Sequence, residues 1–336
     1  MKYTSTRGYA EEYTASQAVE KGLCNDRGLF VPTKFPKISL EEIENMKESG
    51  YDEVALNVLK NYLTDYTEEE LKKCIGVYSE TFNHLERTPV VKLEDGIYVL
   101  ELWHGPTLAF KDMALQIMPR LFTLAREKNN AEKDSLILVA TSGDTGKAAL
   151  EGFKDLKGVK VIVFYPIDGV SDVQKLQMQT AAGANVEVIG VHGNFDDCQT
   201  AVKNIFLDKE LNQYLDKFKL SSANSINLGR LLPQVIYYFK AYTQLLRDGE
   251  IALGETIDFS VPTGNFGDIL AGYYAKQMGL PVGKLICASN KNNVLFDFLK
   301  TGIYNKQREF FKTLSPSMDI LVSSNLERLL YHVLED

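Results

Sequence analysis

Lys111 is the residue whose surroundings most clearly indicate chemistry. It follows a glycine–proline turn at residues 105–106 and the apolar residues Leu108, Ala109 and Phe110, which are expected to form a wall around its stem. Such a setting removes water from the ammonium group and favours the neutral, nucleophilic amine. This amine is the group that forms a Schiff base with a carbonyl cofactor. Taken alone, a lysine at a helix start more often keeps a solvated ammonium, so the interpretation needs support from elsewhere in the chain.

A second segment, residues 141–146, has the sequence Thr-Ser-Gly-Asp-Thr-Gly. It follows four apolar residues that predict a buried strand and precedes an Ala/Leu-rich stretch that predicts a helix. A turn of this composition directs hydroxyl and backbone N–H groups towards the helix N-terminus, where a carboxylate or phosphate can bind. A nucleotide-binding P-loop is excluded, because only two residues separate Gly143 from Gly146 and Ala148 follows Lys147.

A third segment, residues 264–268, has the sequence Gly-Asn-Phe-Gly-Asp and again lies between a predicted strand and a predicted helix. Gly264 and Gly267 are expected to allow positive φ angles and close approach of the backbone, so that several N–H groups converge on one phosphate. The alternative is an ordinary strand-to-helix turn in which Asp268 caps the helix. The residues of this loop alone do not decide between the two.

Together these segments resemble the pyridoxal-phosphate enzymes of the tryptophan-synthase-like class (fold type II) and, within it, the threonine synthases. The sequence His-Gly-Pro-Thr-Leu-Ala-Phe-Lys-Asp at residues 104–112 resembles the lysine motif of that family. Residues 141–146 resemble its substrate loop, and residues 264–268 resemble its cofactor-phosphate loop. Residues 3–8 and 28–32 are similar to its N-terminal region, so the resemblance extends over essentially the whole chain.

The resemblance implies an activity and a cofactor. The expected enzyme is a carbon–oxygen lyase acting on phosphates, which converts O-phospho-L-homoserine and water to L-threonine and phosphate in threonine biosynthesis. Pyridoxal 5'-phosphate would be bound to Lys111 as a Schiff base, and the freed amine would then move protons. Two alternatives remain open. One is another fold type II lyase, similar to a threonine or serine dehydratase, and the other is a non-catalytic, threonine-synthase-like binding protein.

Chemistry and resemblance together suggest roles for the loop residues. Backbone N–H groups of residues 264–267, with the Asn265 side chain as a further donor, are expected to bind the cofactor phosphate. Asp144 stands where many relatives of this cofactor class carry an asparagine near the phenolic oxygen of the cofactor, and we expect a shared proton there. The expected cofactor-binding residues are Lys111, Asp144, Gly264, Asn265, Phe266 and Gly267. The residues expected to hold the substrate carboxylate are Ser142, Gly143 and Thr145.

Asn227 and Arg230 lie in a segment that enters a predicted helix, and they share one helix face with Gln234. Residue types alone favour Asn227 as a helix cap and Arg230 as part of a surface ion pair. The resemblance instead implies that this Asn and Arg bind the substrate phosphate. Arginine suits that role because its planar guanidinium pairs with two phosphate oxygens at once.

Alternating strands and helices are predicted to position these segments. Helical periodicity covers residues 39–82. The predicted strands beyond it cover residues 98–102, 136–140, 160–165, 186–191, 258–261 and 284–288. The predicted helices cover residues 113–126, 147–156, 172–181, 198–208, 232–246 and 269–278. This alternation indicates an α/β fold with parallel sheet covered by helices on both faces, and its crossovers are expected to bring both glycine loops to one edge.

The resemblance adds a tryptophan-synthase-β-like arrangement, with two open parallel-rich sheets and a smaller domain inserted into a larger one. We predict a mainly helical, threonine-synthase-type N-terminal domain at residues 1–86. The large cofactor domain is predicted at residues 87–104 and 249–336. The smaller inserted α/β domain is predicted at residues 105–248.

Composition excludes several classes of function. A formal net charge of -8 is unfavourable for binding nucleic acid or an anionic membrane. No stretch approaches the roughly 20 apolar residues of a bilayer span, and the N-terminus lacks the apolar run of a secretory signal. The four cysteines lie far apart, which argues against a zinc site or a disulfide framework. We therefore predict a soluble, cytoplasmic protein without a metal that acts on a small molecule, as a monomer or homodimer.

The last predicted element is an amphipathic helix that begins at a Ser324-Asn325 cap and needs a partner surface. Its apolar residues are Leu326, Leu329, Leu330 and Val333. Glu335 and Asp336 follow it with negative charge that is unfavourable at a helix C-terminus. Threonine synthases that resemble this chain continue well beyond this point, with further sheet elements and a Ser/Thr that hydrogen-bonds the pyridine nitrogen of the cofactor. We therefore predict a large domain that is incomplete at its C-terminus.

Overall fold

The structure is a computed structural model that describes residues 1–334, without the side chains of Asp196 and Leu207. Its N-terminal region is mainly helical, as predicted. Capping boxes at Thr14, Ser39 and Thr67 satisfy the first free N–H groups of three helices and explain where these helices begin. The elements are β1 (Tyr3–Ser5), α1 (Ala15–Lys21), β2 (Phe30–Pro32), α2 (Leu40–Asn45), α3 (Tyr51–Tyr62), α4 (Glu68–Ile75) and α5 (Val77–Thr81).

The middle of the chain alternates strands with helices. Its first elements are β3 (Val90–Glu94), β4 (Ile97–Leu100), α6 (Asp112–Leu115), α7 (Met118–Lys128), β5 (Asp134–Ala140), α8 (Asp144–Phe153) and β6 (Val159–Pro166). They are followed by α9 (Asp172–Gln179), β7 (Val186–Val191), α10 (Phe195–Leu207), α11 (Lys209–Tyr214), β8 (Phe218–Ser222) and α12 (Leu228–Arg247). The strands β1 and β2, and likewise β3 and β4, pair antiparallel.

A four-stranded parallel sheet in the order β7-β6-β5-β8 carries residues 141–146 at its centre. Alternate residues of β5 point to opposite faces, as strand geometry requires. Ile137 and Val139 belong to the main hydrophobic core, whereas Leu136 and Leu138 pack with Cys198 of α10 in a smaller core. Both faces of this sheet are therefore covered, in agreement with the predicted parallel architecture.

A second parallel sheet contains β9 and β10 within the described residues. The elements of this part are β9 (Ile257–Pro262), α13 (Gly267–Met278), β10 (Val282–Ala288), α14 (Val294–Thr301) and α15 (Leu326–Val333). Helix α12 packs against both α13 and α3, and its residues 228–245 are all buried. A helix that is buried on every side forms the centre of a core, and here it lies between helices of the N-terminal region and α13, which packs against β9 and β10.

Asn227 joins the N-terminal region to the start of α12. Its Nδ2 donates to the backbone carbonyls of Val19 (3.0 Å) and Ser222 (3.0 Å), and its Oδ1 accepts from the N–H of Gly229 at 2.8 Å. Close by, the hydroxyl of Ser221 donates to the carbonyl of Glu20 at 2.9 Å. The C-terminal carbonyls of α1 are thus satisfied by donors from β8 and α12.

Several predicted elements differ from the structure. The helix expected over residues 113–126 is two helices, because Pro119 lies in the first turn of α7 and cannot continue a helix from α6. Strand β8 was absent from the prediction because its sequence is half polar, and it forms by parallel pairing with β5. The two glycine loops follow β5 and β9, which belong to different sheets, so one sheet edge does not carry both.

The predicted final helix is present as α15, although only part of its apolar face is covered. Leu326 is buried, but Val333 is 61% exposed. Arg328, on the same helix, is fully buried. The predicted unfavourable charges of Glu335 and Asp336 lie outside the described residues. No helix in residues 1–334 is both long enough and apolar enough to span a bilayer.

Candidate active site

A cavity of about 110 Å³ lies where the loops after β5 and β9 approach each other. Several residues of the three sequence segments meet there, together with residues of the loop before α12 and of a short 3-10 helix, Pro316–Met318. The polar residues that line it include Lys111, Ser142, Thr145, Asn224, Ser225, Arg230, Asn265 and Ser317. The segments that sequence patterns single out are therefore neighbours in space.

Lys111 precedes the first residue of α6 and has a side chain that is only 4% exposed. Its ammonium lies 4.2 Å from the centre of the Phe110 ring. The turn before it is fixed by Asp112, which accepts hydrogen bonds from the N–H and the hydroxyl of Thr107, both at 2.8 Å. The expected apolar wall is only partly present, because Leu108 adopts a left-handed φ of 58° and is 67% exposed.

Asp144 is the direct partner of this lysine. Its Oδ2 lies 2.6 Å from Nζ of Lys111 and also accepts a 2.6 Å hydrogen bond from the hydroxyl of Ser317. Burial acts to raise the pKa of the Asp144 carboxyl, but Lys111, Ser317 and the N–H of Thr145 outweigh it and hold that pKa below its ordinary value. The carboxylate is therefore ionised at neutral pH and stabilises the ammonium of Lys111.

The loop over residues 141–146 is organised by Thr141. Its hydroxyl oxygen accepts hydrogen bonds from the N–H groups of Gly143 (2.9 Å) and Gly146 (2.8 Å). Ser142 and Thr145 line the cavity, as expected for substrate contacts. The N–H of Gly143 is already used, so this predicted contact to a carboxylate lacks a free backbone donor. Glycine is required there because φ is 141° and a Cβ would overlap the side chain of Gln174.

The loop over residues 264–267 differs from the expectation in its backbone. The positive φ, 67°, belongs to Phe266, and neither Gly264 nor Gly267 has one. Gly264 is instead required by close approach, since a Cβ there would lie 3.1 Å from Cα of Met318. Asn265 stabilises the turn, because its Oδ1 accepts from the N–H of Gly267 at 3.0 Å.

Arg230 lies in the first turn of α12 and is 2% exposed. Its Nη1 donates to the carbonyl of Ala223 at 2.6 Å, while its buried Nε has no hydrogen-bond partner. Burial lowers the pKa of this guanidinium to about 10, although Asp144 partly opposes that shift. The residue is therefore not part of a surface ion pair, contrary to what residue types alone favour, and its charge faces the cavity region.

Asn227, the other residue expected at the substrate phosphate, is absent from the cavity lining. Its side-chain hydrogen bonds all go to the backbone, at the start of α12, at the end of α1 and at the end of β8. The N-cap interpretation from residue types describes this geometry better than the phosphate interpretation. Asn224 and Ser225, from the same segment, line the cavity in its place.

Comparison with known proteins identifies the family. Residues 2–77 match the family described as "Threonine synthase N terminus", and residues 81–336 match "Pyridoxal-phosphate dependent enzyme". A threonine synthase of Schizosaccharomyces pombe is 44% identical, over 99% of this chain and 67% of that protein. This chain belongs to the threonine synthase family. Pyridoxal phosphate is the cofactor of the family, and the fold is that of its fold type II enzymes, as predicted.

Solved threonine synthase structures share this fold over the whole chain. The PLP-bound threonine synthase of Brucella melitensis has a TM-score of 0.90 and 42% identity, with 100% of this chain and 70% of that chain covered. Human "Threonine synthase-like 1" is 46% identical over 94% of this chain. The chain spans 67% of the Schizosaccharomyces pombe threonine synthase and 44% of the human relative.

Two features of this threonine synthase family member were not found from sequence patterns. Ser317 contacts Asp144 across 173 residues of chain, and no motif surrounds it. Asp268, considered above as a helix cap, instead accepts hydrogen bonds from the hydroxyls of Tyr237 (2.5 Å) and Tyr238 (2.9 Å). Burial raises the pKa of the Asp268 carboxyl, although both tyrosines oppose that shift. The adjacent Tyr-Tyr pair on a helix is the one sequence signal for this contact.

Proposed function

We propose that this chain catalyses the threonine synthase reaction, in which O-phospho-L-homoserine and water give L-threonine and phosphate with pyridoxal phosphate as cofactor. The observation that carries the proposal is the buried guanidinium of Arg230, which lines the same cavity as Lys111. Within residues 1–334 it forms no ion pair, and its Nε has no partner. An anion would stabilise a buried guanidinium that has an unsatisfied donor, and the substrate phosphate is a suitable one.

The residues around the cavity fit pyridoxal phosphate. Lys111 offers a buried primary amine at the cavity wall. Residues 264–267 lie at the N-terminus of the twelve-residue helix α13, where backbone N–H groups favour a phosphate. Asn325 adds a buried Nδ2 without a hydrogen-bond partner, 3.4 Å from the position that a Cβ on Gly267 would occupy. An anionic oxygen at this loop would satisfy such a donor.

When bound, pyridoxal phosphate supplies an electron sink for carbanion chemistry. Lys111 is the amine that would bind the cofactor carbonyl and, when free, take up and return protons at the substrate carbons. Asp144 and Ser317 orient that amine through the shared Oδ2. We also propose that Asp144 shares a proton with the phenolic oxygen of the cofactor, because two ionised oxygens side by side would repel each other.

The substrate contacts follow from the same lining residues. The hydroxyls of Ser142 and Thr145 are proposed to bind the substrate carboxylate, at the N-terminus of α8. Gly143 is proposed to contribute through the backbone conformation that it allows. It does not donate to the substrate, because its N–H bonds to the hydroxyl of Thr141. Arg230 is proposed to bind the substrate phosphate. Asn227 supports Arg230 from outside the cavity by capping α12.

The test combines the reaction with two variants of cavity residues and one matched control. Purified protein is incubated with pyridoxal phosphate and O-phospho-L-homoserine, and free phosphate and threonine are measured together. Arg230→Ala should lose turnover while cofactor absorbance is retained. Arg120→Ala removes a surface arginine that pairs with Glu80 and should leave turnover unchanged. Lys111→Ala should lose the absorbance of the covalently bound cofactor.

The alternatives predict other outcomes of this experiment. A dehydratase of the same fold would need no second phosphate site, so Arg230→Ala would keep full activity on hydroxy amino acids. A non-catalytic binding protein would take up the cofactor at Lys111 but turn over no amino-acid phosphate. Borohydride reduction that attaches the cofactor to a lysine other than Lys111 would contradict the assignment of the catalytic amine.

The compartment in which this enzyme acts and the class of its partners are also proposals. We infer a cytoplasmic enzyme that acts on a small-molecule substrate, since the net charge and the absence of a membrane-spanning helix from residues 1–334 favour neither a nucleic-acid nor a membrane partner. The domain division at residues 1–86, 87–104 with 249–336, and 105–248 stays a prediction.

A further inference from the structure

Arg328 is a buried cation outside the cavity. Its guanidinium on α15 is fully buried and donates to the backbone carbonyls of Phe30 (2.9 Å), Ile226 (2.7 Å) and Ser225 (3.2 Å), and to Oδ1 of Asn325. Within residues 1–334 no carboxylate forms an ion pair with it. Burying an arginine among neutral acceptors is unfavourable unless its N–H donors have hydrogen-bond acceptors. The hydrogen bonds of this guanidinium therefore indicate which residues it holds in position.

Those contacts surround Asn265, the centre of the loop proposed to bind the cofactor phosphate. The N–H of Asn325 donates to the carbonyl of Asn265 at 3.0 Å. On the other side, Nδ2 of Asn265 donates to the hydroxyl of Ser225 at 2.9 Å. Asn325 and Ser225 are both direct partners of Arg328. One guanidinium therefore connects the two residues that fix the main chain and the side chain of Asn265.

We propose that Arg328 is a positioning residue for the phosphate-binding loop, which acts through Asn325 and Ser225 and does not touch the cofactor itself. Without it, the two residues that hold Asn265 would no longer be linked, and the backbone N–H groups of residues 264–266 would be less firmly held. The loss should appear as weaker binding of the phosphate group alone. This inference rests on the proposed function, because it takes this loop as the phosphate site.

The experiment compares two aldehydes that differ only in the phosphate: pyridoxal phosphate and pyridoxal. Dissociation constants are measured by absorbance for wild type, Arg328→Met and Arg328→Lys, with unfolding by urea alongside. Arg328→Met should bind pyridoxal phosphate about tenfold more weakly, the effect of losing roughly one oriented hydrogen bond to a charged group, and should bind pyridoxal as wild type does. Arg328→Lys keeps the charge but not the planar fork, so an intermediate loss is expected.

Lys240 provides the matched control, because it is another fully buried cation, on α12, that contacts Glu86 (3.0 Å) and the carbonyl of Ser49 (2.9 Å). Lys240→Met should lower the stability without changing the preference for the phosphate-bearing aldehyde. If Arg328→Met fails to fold, Arg328→Lys supplies the same comparison. An unchanged ratio of the two dissociation constants in a folded Arg328 variant would overturn this inference alone. Wild-type protein that binds both aldehydes equally would overturn the assignment of the loop, and the inference with it.

Discussion

The ammonium nitrogen of Lys111 lies 2.6 Å from Oδ2 of Asp144, the first residue of α8. Both side chains are largely buried, so solvent screens the attraction between their charges only weakly. It joins the lysine motif to the loop over residues 141–146. Ser317 donates to the same carboxylate oxygen, which brings a residue from the last part of the chain into contact with the pair.

Replacing Asp144 by Asn should expose the importance of this pair for stability. Asp144→Asn leaves Lys111 buried without a counter-ion, and the free energy of unfolding at neutral pH should fall by about 3 kcal/mol. The folded-state pKa of Asp144 is lowered, so its contribution is fully present above the ordinary value of 3.8 and is lost as the pH falls through the folded value. Urea unfolding at neutral pH and below pH 3.8 should show the gap between variant and wild type closing in acid. Asp216→Asn, at an exposed ion pair with Lys133, should show no such gap.

The two glycines of the loop over residues 264–267 should respond differently to alanine. A Cβ at Gly264 would lie 3.0 Å from Cδ1 of Ile320 and 3.1 Å from Cα of Met318, so Gly264→Ala should destabilise the fold by about 1–3 kcal/mol. At Gly267 the closest contact is 3.3 Å and φ is not positive, so Gly267→Ala should leave stability unchanged or slightly higher. Its Cβ should nevertheless weaken binding of pyridoxal phosphate. Unchanged cofactor affinity in Gly267→Ala would support an ordinary strand-to-helix turn.

Variants of Asn227 and Asn224 should distinguish a residue that caps α12 from a residue that holds the cavity wall. Asn227→Ala removes the N-cap of α12 and leaves two backbone carbonyls without their donor, so stability should fall by about 2 kcal/mol. Because Asn227 does not line the cavity, the KM for O-phospho-L-homoserine should change little. Asn224 lines the cavity, and its amide pairs with the N–H (3.2 Å) and the carbonyl (2.8 Å) of Ala140, so Asn224→Ala should disturb the cavity wall and raise the KM. A large rise in KM for Asn227→Ala at unchanged stability would restore the phosphate-binding interpretation.

His332 should make the fold sensitive to mild acid. Burial, with a smaller contribution from Arg328, lowers the pKa of this imidazole to about 4, and the ring lies 3.1 Å from the hydroxyl of Tyr274. The neutral form is thus favoured in the folded state, and the stability that it provides is present above the ordinary pKa of 6.5 and is lost as the pH falls towards 4. His332→Gln should reduce the loss of unfolding free energy between pH 6.5 and pH 4. The exposed His192 is the control, since His192→Gln should leave the pH profile as in wild type.

Local sequence patterns were sufficient to predict those parts of the site in which the functional residues and their secondary structure lie in one short segment. Residues 141–146 and 264–268 each connect a strand to a helix and include the first residues of that helix, close to where their glycines and the flanking apolar runs predict a turn. Lys111 is buried and in contact with the first of these loops. The parallel sheet follows from strand–helix alternation, which requires crossover connections.

Contacts between distant segments could not be read from the sequence. Ser317 meets Asp144 only because the chain after β10 returns over the cavity. Strand β8 exists because β5 offers a free edge, and its own residues carry a weak pattern. The left-handed backbone at Phe266 was expected at the neighbouring glycines, and the tertiary packing of its buried ring overrides the local preference.

The hydrogen bonds from Asn227 and Ser221 to the last turn of α1 also restrict how the cavity can open. They connect the N-terminal region to β8 and to the N-cap of α12, three residues before Arg230. A substrate must then be admitted by displacement of the opposite wall, where Ser317 and α8 meet through one hydrogen bond. We expect the segment that carries Ser317 to be the part that moves, and the four-stranded sheet, which β8 connects to the N-terminal region, to stay fixed.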